Sequence, residues 1–479
     1  MIISLAKSAF CDIFTFTWQL LESIIYGGII CQKKLRKLPN LAWVSLGNIC
    51  ANLINILNKI IYSQEFLCRY RKSKTNFSRK PFLTFPTLII FMMNLLKGSI
   101  QDELKRFFQA LDSKDLPDKE ITAGAFTRAR KKLSFNAFIE LSRIVVNYFY
   151  KHFPHKKWFG FRLVAVDGST VKVPRTEETI KHFGRWKTKN GNDRPLARMS
   201  QLLDVLNGVI IDAIISPKKT GERRLAIQHL DHLGEGDLLL CDRGYPAFWL
   251  FALLLSRKVH FCIRVTTGHW NEISKFNSSR NSEDVVVFNP TVGALHERYK
   301  LGINVLPLPL RLIRVELPSG EVEILITSLL DKNEFPREIF KDLYAKRWPI
   351  EEKYKVAKCR IQIENFSGKS VEAIYQDFYA KLFTLNLTAA LIHPVHEMAR
   401  TEYQGRKFKY HVNLSQALSK MKHTVAVLFN RPNREIEGII IKLFKLFLDS
   451  VLPLRPGRKS PRKKGPKQQG YHMSYKQLA

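Results

Sequence analysis

The stretch RLVAVDGS, residues 162–169, decides the fold of this chain. Its leucine and valine residues predict a buried strand that ends at the Asp-Gly pair. The later run MSQLLDVLNGVIIDAIIS, 199–216, predicts two strands around an Asn-Gly turn. Two more strands are predicted at DLLLCD (237–242) and KVHFCIRV (258–265), and apolar helical segments lie between the later strands. Strands and helices in this order predict an α/β fold with a mixed sheet.

The segments that flank this sheet have other patterns. Residues 266–335 are rich in Ser, Asn and Pro and contain short apolar runs, which predict a β-rich insertion. Three- and four-residue apolar spacing predicts helices before and after the core. We divide the chain into a poorly explained N-terminal region with a basic linker (1–80), a helical domain (81–155), the first part of the core (156–265), the insertion (266–335), the second part of the core (336–395), a helical C-terminal region (396–452) and a basic tail (453–479).

The charge balance is the first indication of a partner. The chain has 77 Lys and Arg residues against 42 Asp and Glu residues, a formal net charge of +35. A field this positive attracts polyanions, and nucleic acid is the usual one. A lipid surface or a ribosome would also explain the charge.

Cysteine usage and apolar stretches bear on the cellular compartment. The seven Cys residues are scattered and form no CxxC pair, which argues against a disulfide framework and a Cys-ligated zinc site and suits a reducing cytoplasm. The apolar run 82–96 contains a proline and has 15 residues, where a membrane span needs about 20. We therefore expect a cytoplasmic protein with no membrane partner.

A basic helix is predicted in the helical domain, within residues 117–138. Thr122 is a suitable N-cap for a helix that runs to about residue 133, with Arg128 and Arg130 on its surface. A short basic helix that follows another helix suits a helix-turn-helix-like reader of DNA, in which these arginines contact the DNA. A basic solvated helix without a ligand is the alternative.

Two aspartates follow strands of the predicted sheet. Asp167 stands at the end of the first strand and Asp242 at the end of the fourth. If the two strands are neighbours, both carboxylates leave the sheet at one edge, where a third carboxylate from a helix would complete an all-oxygen pocket. Such a pocket suits Mg²⁺ or Mn²⁺. Asp-Gly and Asp-Arg-Gly after a strand are also ordinary turn sequences.

The segment LYAKRWPIEEKYKVAKCR, 343–360, supplies the third carboxylate. Tyr344, Arg347, Glu351 and Lys358 are separated by steps of three, four and seven residues, which place them on one stripe of a helix. Pro349 predicts a kink, or a second helix that starts at this proline. A carboxylate among Tyr, Arg and Lys suits a metal ion beside phosphates, while an exposed charged helix face is the alternative.

These motifs resemble a known enzyme family. The four residues of the stripe match, in type and spacing, the Tyr–Arg–Glu–Lys signature of bacterial insertion-sequence transposases of the DDE, cut-and-paste type. VAVDGST (164–170) and CDRGY (241–245) are similar to the segments that carry the first and second aspartates of that family, and SPKKTGERRLAIQHL (216–230) is similar to the stretch between them. The resemblance runs from about residue 82 to about 465 and leaves residues 1–60 unmatched.

The resemblance implies a ribonuclease-H-like core in which Asp167, Asp242 and Glu351 are catalytic and bind two Mg²⁺ ions, with Mn²⁺ as a substitute. It implies that Tyr344, Arg347 and Lys358 contact phosphates of DNA. It further implies a homodimer that pairs the terminal inverted repeats of an element, excises it and joins it to double-stranded target DNA. In some relatives a Trp of the insertion holds a flipped base, and Trp270 is the candidate here.

Two alternatives to transposition stay open at this point. A metal-dependent nuclease that cuts DNA without joining it would use the same carboxylates. A DNA-binding relic without catalytic activity would keep the basic charge, although the triad is intact. His229 and His232 have helical spacing but no partner residues, so we interpret them as surface or core histidines and not as metal ligands.

Overall fold

The structure of the protein is a computed structural model. It describes residues 39–78, 83–112, 120–186, 194–268, 270–317, 319–430, 433–455, 471 and 476. The first 38 residues, part of the basic linker and most of the predicted basic tail lie outside the described residues.

A nine-stranded mixed sheet forms the centre of the molecule. Its strands are β1 (Arg162–Lys172), β2 (Arg185–Trp186), β3 (Arg194–Asp204), β4 (Val209–Ser216), β5 (Asp237–Cys241), β6 (His260–Val265), β7 (Glu283–Phe288), β8 (Leu308–Glu316) and β9 (Val322–Thr327). Antiparallel pairing joins β4 to β3 and β3 to β1, and parallel pairing joins β1 to β5 and β5 to β6. These five strands form a mixed core with helices around it, as the sequence predicts.

The predicted strands have clear local causes. All five residues of β5 are buried, as expected for a central strand covered on both faces. Asp204 and Asn207 build the predicted hairpin turn: the main-chain amides of Leu206 and Asn207 donate to the Asp204 carboxylate, and Gly208 has φ +70°. Only glycine takes that backbone angle at no steric cost.

The segment predicted as a β-rich insertion contributes strands to this same sheet. β9 pairs with β6, β8 with β9 and β7 with β8, all antiparallel. Two helices that the sequence patterns did not predict lie between these strands, α10 (Asn271–Ser279) and α11 (Val292–Leu301). Trp270 precedes α10 and packs against Phe251 and Phe288.

Helices cover both faces of the sheet. They are α1 (Pro39–Ile61), α2 (Gln64–Tyr70), α3 (Phe85–Met93), α4 (Ile100–Asp112), α5 (Ala123–Arg130), α6 (Asn136–His152), α7 (Glu177–Phe183), α8 (Glu222–His229), α9 (Phe248–Ser256), α12 (Ile339–Ala345), α13 (Pro349–Lys355), α14 (Val371–Glu402), α15 (Leu414–Asn430) and α16 (Asn433–Leu448). Two short strands, β10 (Tyr410–Val412) and β11 (Val451–Pro453), pair with each other. No helix within the described ranges is long and apolar enough to cross a membrane.

Helix α14 joins the sheet to the N-terminal helices. The Asn386 side chain donates to the Ile210 carbonyl and accepts from its amide, at 3.0 Å in both cases, which ties the helix to β4. Within one turn of it, the Thr384 hydroxyl donates to the Met93 carbonyl at the end of α3. Buried polar groups of this kind are stable only when they are hydrogen-bonded, so these contacts fix how the helical layers pack.

The basic helix α5 begins as predicted and differs from the prediction at one arginine. Thr122 caps the helix by accepting from the Ala125 amide. Arg128 is exposed, but Arg130 is only 4% exposed, so its predicted surface position and its role as a DNA contact are wrong. Its guanidinium faces inward to α14 because it pairs with Asp377 at 2.8 Å and donates to Gln376.

The two arginines of α5 give a direct test of this packing. We expect Arg130→Ala to lower the free energy of unfolding by about 3–5 kcal/mol, because it leaves the Asp377 carboxylate buried without its partner. Arg128→Ala, on the exposed face of the same helix, should change it by less than about 0.5 kcal/mol. Urea unfolding followed by circular dichroism measures both values, and equal losses in the two variants would contradict the buried ion pair.

Candidate active site

The register of β1 and β5 brings the two predicted aspartates to one edge of the sheet. The parallel pairs run from Arg162 and Asp237 to Ala165 and Leu240. β5 ends one residue before Asp242, and Asp167 lies two residues beyond the last position of β1 that pairs with β5. β1 and β5 are therefore neighbours, which is the condition under which the sequence analysis places both carboxylates at one edge.

The prediction that β1 ends at Asp167 is wrong. The strand continues to Lys172, and its second half pairs only with β3. Asp167 thus stands inside a strand, at the point where the parallel neighbour stops. The Asp-Gly pair is not a turn here, and Gly168 instead leaves room for the side chain of Glu222.

Helix α13 carries Glu351 to this edge. The helix begins at Pro349, one of the two outcomes that the sequence predicts, and a π-helical turn follows at Val356–Arg360. The Tyr354 hydroxyl donates to the main-chain carbonyl of Asp167 at 2.5 Å. Lys358 donates from Nζ to the Ser169 hydroxyl at 2.7 Å. Two hydrogen bonds therefore dock α13 and its π-helical turn on the middle of β1.

Arg347 lies between two of the predicted catalytic carboxylates. Its Nη2 atom is 2.6 Å from Oε1 of Glu351, and its Nη1 atom is 4.0 Å from Oδ2 of Asp167. The guanidinium also lies 5.7 Å from the centre of the Tyr344 ring. The hydroxyl of Tyr344 is buried and has no hydrogen-bond partner among the described residues. Tyr344, Arg347 and Glu351 of the predicted stripe thus form a connected group in which Arg347 pairs with carboxylates, whereas Lys358 bonds to Ser169 of β1.

Burial and like charges act together on Asp167. Its side chain is 21% exposed. Burial, with a further contribution from the charges of Asp242 and Glu351, raises the pKa of Asp167 from 3.8 to about 6. The amide of Gly168, which donates to Oδ1, and the Arg347 guanidinium act in the opposite direction. A nearby cation stabilises the charged form of such a carboxylate and lowers its pKa.

A carboxylate that the sequence interpretation did not single out reaches the same edge. Glu222, the first residue of α8, places its Cδ atom 3.0 Å from the point where a Cβ of Gly168 would lie. Its Oε1 atom accepts from Arg198 of β3 at 2.8 Å. Glu222 belongs to the GERRL part of the stretch that resembles the transposase family. The resemblance therefore covers this residue, although it assigns Glu222 no function.

The donor set suits a hard divalent cation, although the side chains are not closed around one. Asp167, Asp242 and Glu351 provide carboxylate oxygens only, which Mg²⁺ and Mn²⁺ prefer. Across the described ranges, no three Asp, Glu, His or Cys side chains are grouped tightly enough to hold an ion as they stand. The Arg347 cation takes the position between Asp167 and Glu351, so a metal ion would compete with it for the same oxygens.

The remaining predicted residues lie elsewhere. Arg128 is on α5, outside this group. Trp270 is part of the apolar packing around α9 and β7. His229 is a core residue: it is 1% exposed, and its ring bonds to Asp212 at 2.7 Å and to Ser200 at 2.9 Å. The interpretation of His229 as a structural residue agrees with these contacts.

The raised pKa of Asp167 predicts how stability depends on pH. The native state binds this proton more tightly than the unfolded chain, so the contribution of Asp167 to stability decreases as pH rises from about 4 to about 6. We expect Asp167→Asn, in EDTA, to be more stable than the wild type at pH 7.5 by up to about 3 kcal/mol. The difference should vanish near pH 3.5. Urea unfolding at both pH values measures it, and a variant that is less stable at pH 7.5 would refute the assignment.

Parts of this chain are similar to known proteins. Residues 158–387 match the family described as "Transposase DDE domain". The chain is 27% identical over 274 residues to the transposase InsG for insertion sequence element IS4 of Escherichia coli (strain K12), a match that covers 56% of this chain and 60% of that protein. It is 23% identical over 214 residues to the putative transposase y4zB of Sinorhizobium fredii (strain NBRC 101917 / NGR234), covering 42% and 55%. The chain thus spans about 60% of the length of the first of these relatives.

A comparison of structures gives a TM-score of 0.44 and 10% identity with the cryo-EM structure of the piggyBac transposase synaptic complex with hairpin DNA, over 85% of this chain and 87% of that one. The family match contains Asp167, Asp242 and Glu351 as well as Glu222. Residues 158–387 of this chain are thus similar to the transposase DDE domain.

Proposed function

We propose that this protein is the transposase of an insertion sequence, which binds the terminal inverted repeats, cleaves DNA there and joins the ends to target DNA. The observation that carries the proposal is the meeting of Asp167, Asp242 and Glu351 at one sheet edge, with Arg347 and Lys358 beside them. The DDE domain match and the relatives named as transposases support it.

Asp167, Asp242 and Glu351 would hold two Mg²⁺ ions, or Mn²⁺ in their place. Such ions activate a water or a hydroxyl as the attacking group and stabilise the leaving oxygen of a phosphodiester. The burial that raises the pKa of Asp167 also strengthens its interaction with any cation that arrives. The amides of Gly168 and Gly244 donate to the Asp167 and Asp242 carboxylates and keep them oriented.

Arg347 and Lys358 bind phosphate groups of the DNA end in this proposal. Arg347 is ion-paired to Glu351 in the free protein, so it is released for a phosphate when Glu351 takes another cation. Its planar guanidinium suits two oxygens of one phosphate. Lys358 is held by the hydroxyl of Ser169, the second residue after Asp167 on β1, and acts as a point charge. Tyr344 supplies a buried hydroxyl that can donate to the same phosphate.

The partners follow from the charge and from the reaction. The net charge of +35 suits double-stranded DNA at both the terminal repeats and the target. Arg128 on the exposed face of α5 is a further DNA contact. Two ends must be held together for excision, so we propose a homodimer in the synaptic complex.

A metal-dependent nuclease without strand transfer is the second candidate, because the same carboxylates would serve it. The Tyr–Arg–Glu–Lys group favours transposition over it. Hydrolysis alone does not require a held DNA end, whereas joining requires the end to stay in place for a second reaction.

The metal assignment predicts that Asp242→Asn abolishes cleavage and leaves DNA binding intact, because it removes a ligand and not a phosphate contact. Asp231→Asn is the matched control, since that side chain is 82% exposed and lies before β5. The assay uses paired-end DNA, Mg²⁺ and a supercoiled target, with binding measured by fluorescence anisotropy. Cleavage by Asp242→Asn near the wild-type rate would remove the support for this site.

The role of Lys358 separates a transposase from a nuclease. We expect Lys358→Ala to keep metal binding and to reduce end processing and joining by roughly 10²-fold, the loss expected when one charged donor near the reacting group is removed. Lys355→Ala is the control, because Lys355 is on the same segment but is paired with Glu352 and exposed.

The products are scored as nicks, hairpins and joined molecules. Joining by Lys358→Ala at the wild-type level would mean that this lysine is only part of a charged surface. A wild-type protein that nicks every end sequence but never joins would favour the nuclease.

A further inference from the structure

Helices α8 and α13 approach the catalytic edge from opposite faces of the sheet. Ile350 and Tyr354 of α13 pack in the apolar cluster that contains Leu163 and Ala165 of β1. Ala226 of α8 packs in the other cluster, on the opposite face. Glu351 and Glu222 are carried by these two helices, so they reach β1 from its two sides.

Gly168 is what allows the Glu222 carboxylate to reach the edge. A Cβ at this position would lie 3.0 Å from both Cγ and Cδ of Glu222 and 3.1 Å from Oε1, closer than side chains tolerate without a shift. Gly244, two residues after Asp242, lies close to the same side chain. A Cβ at this position would lie 3.2 Å from Oδ1 of Asp242 and 3.9 Å from Oε2 of Glu222. One carboxylate oxygen each of Asp242 and Glu222 thus lies within 3.9 Å of the same position beside Gly244.

Glu222 is held in the same way as Glu351. Each glutamate accepts from one arginine, Glu351 from Arg347 at 2.6 Å and Glu222 from Arg198 at 2.8 Å. Arg198 is itself oriented, because its Nε donates to the Lys218 carbonyl and its guanidinium lies over the Trp186 ring. The Glu222 side chain stays 42% exposed, so it can exchange this partner for another cation.

A buried hydroxyl gives an independent sign that a ligand belongs at this edge. Tyr245 is 1% exposed, and its hydroxyl has no hydrogen-bond partner among the described residues. Burial raises the pKa of Tyr245, and the nearby charges of Asp167 and Glu222 raise it further. A buried hydroxyl without a partner costs about 1–3 kcal/mol, a cost that a water or an ion held by these carboxylates would remove.

We infer that Glu222 is a fourth carboxylate of the metal site, which reaches a divalent cation through the gap left by Gly168. The inference rests on the proposed function, because the cation is the one that Asp167, Asp242 and Glu351 would bind. In this arrangement Glu222 exchanges Arg198 for the cation, and Arg198 is released toward the phosphates of the DNA. The alternative is that Glu222 has a structural role only and stabilises the first turn of α8, where a negative charge is favourable.

The test compares Mn²⁺ binding by the full-length protein without DNA, measured from the free-ion signal in electron paramagnetic resonance. The variants are Glu222→Gln, Gly168→Ala and, as the control, Glu177→Gln, which removes an exposed carboxylate from the same first position of α7. We expect Glu222→Gln to raise the Kd for Mn²⁺ by roughly 10- to 100-fold, the range found when residues that support a metal site are lost. Glu177→Gln should leave it unchanged.

Gly168→Ala tests the geometry with every charge retained. Its φ is not positive, so alanine meets no backbone strain, and the atoms closest to the added methyl group belong to the side chain of Glu222. We expect the Kd to rise in the same direction and by a smaller factor. The Mg²⁺ concentration for half-maximal cleavage should rise in parallel in both variants.

The outcomes separate the two hypotheses. One outcome is that wild type binds Mn²⁺, Asp242→Asn does not, and the Kd of Glu222→Gln stays within about twofold of the wild-type Kd, well short of the expected loss. This outcome refutes Glu222 as a fourth carboxylate and leaves the proposed function intact. If wild type and Asp242→Asn bind equally, the metal site itself is refuted, and Glu222 with it. A fall in the urea midpoint of Glu222→Gln without a change in Kd assigns Glu222 to helix stability alone.

Discussion

The hydrogen bond from the Tyr354 hydroxyl to the Asp167 carbonyl is the contact on which the rest of the candidate site depends. Asp167 is fixed by the sheet, whereas Glu351 lies on a short helix that begins at a proline and ends in a π-helical turn. A helix of seven residues has little stability of its own and takes its position from packing. The bond from Tyr354, with that from Lys358 to Ser169, therefore sets where the third carboxylate lies relative to the first.

The parts of this site that follow from local sequence rules could be predicted. Alternation of apolar residues and the Asn-Gly turn indicate the strands, and the pairing of β1 with β5 that the structure adds then places Asp167 beside Asp242. The effect of Pro349 on the helix start is equally local, because proline lacks the amide that helix interiors need. These features depend on a few adjacent residues, and the structure contains the predicted strands and the helix start at Pro349, although β1 extends beyond its predicted end.

The features that could not be predicted depend on contacts between distant segments. Arg130 has the same local sequence signals as Arg128, and only the position of Asp377, 247 residues later, turns it inward. Glu222 contacts Gly168 from the face of the sheet opposite to α13, and no helical or strand spacing in the sequence predicts this contact. The continuation of β1 past Asp167 likewise depends on β3, which is available as a partner as far as Leu196. Each is decided by tertiary packing.

Carboxylates that meet at one edge repel each other, and the arrangement of arginines shows how the free protein tolerates them. Arg347 and Arg198 come from different elements, and each forms an ion pair with one glutamate. Because an arginine stays charged at any relevant pH, release of a glutamate to a metal ion always leaves a guanidinium free for another anion. Under the proposed function, the anion that meets these guanidiniums, in a protein with an excess of 35 positive charges, is the DNA phosphate. In that proposal, metal binding and binding of the DNA end are one exchange of ion-pair partners, so each event would favour the other.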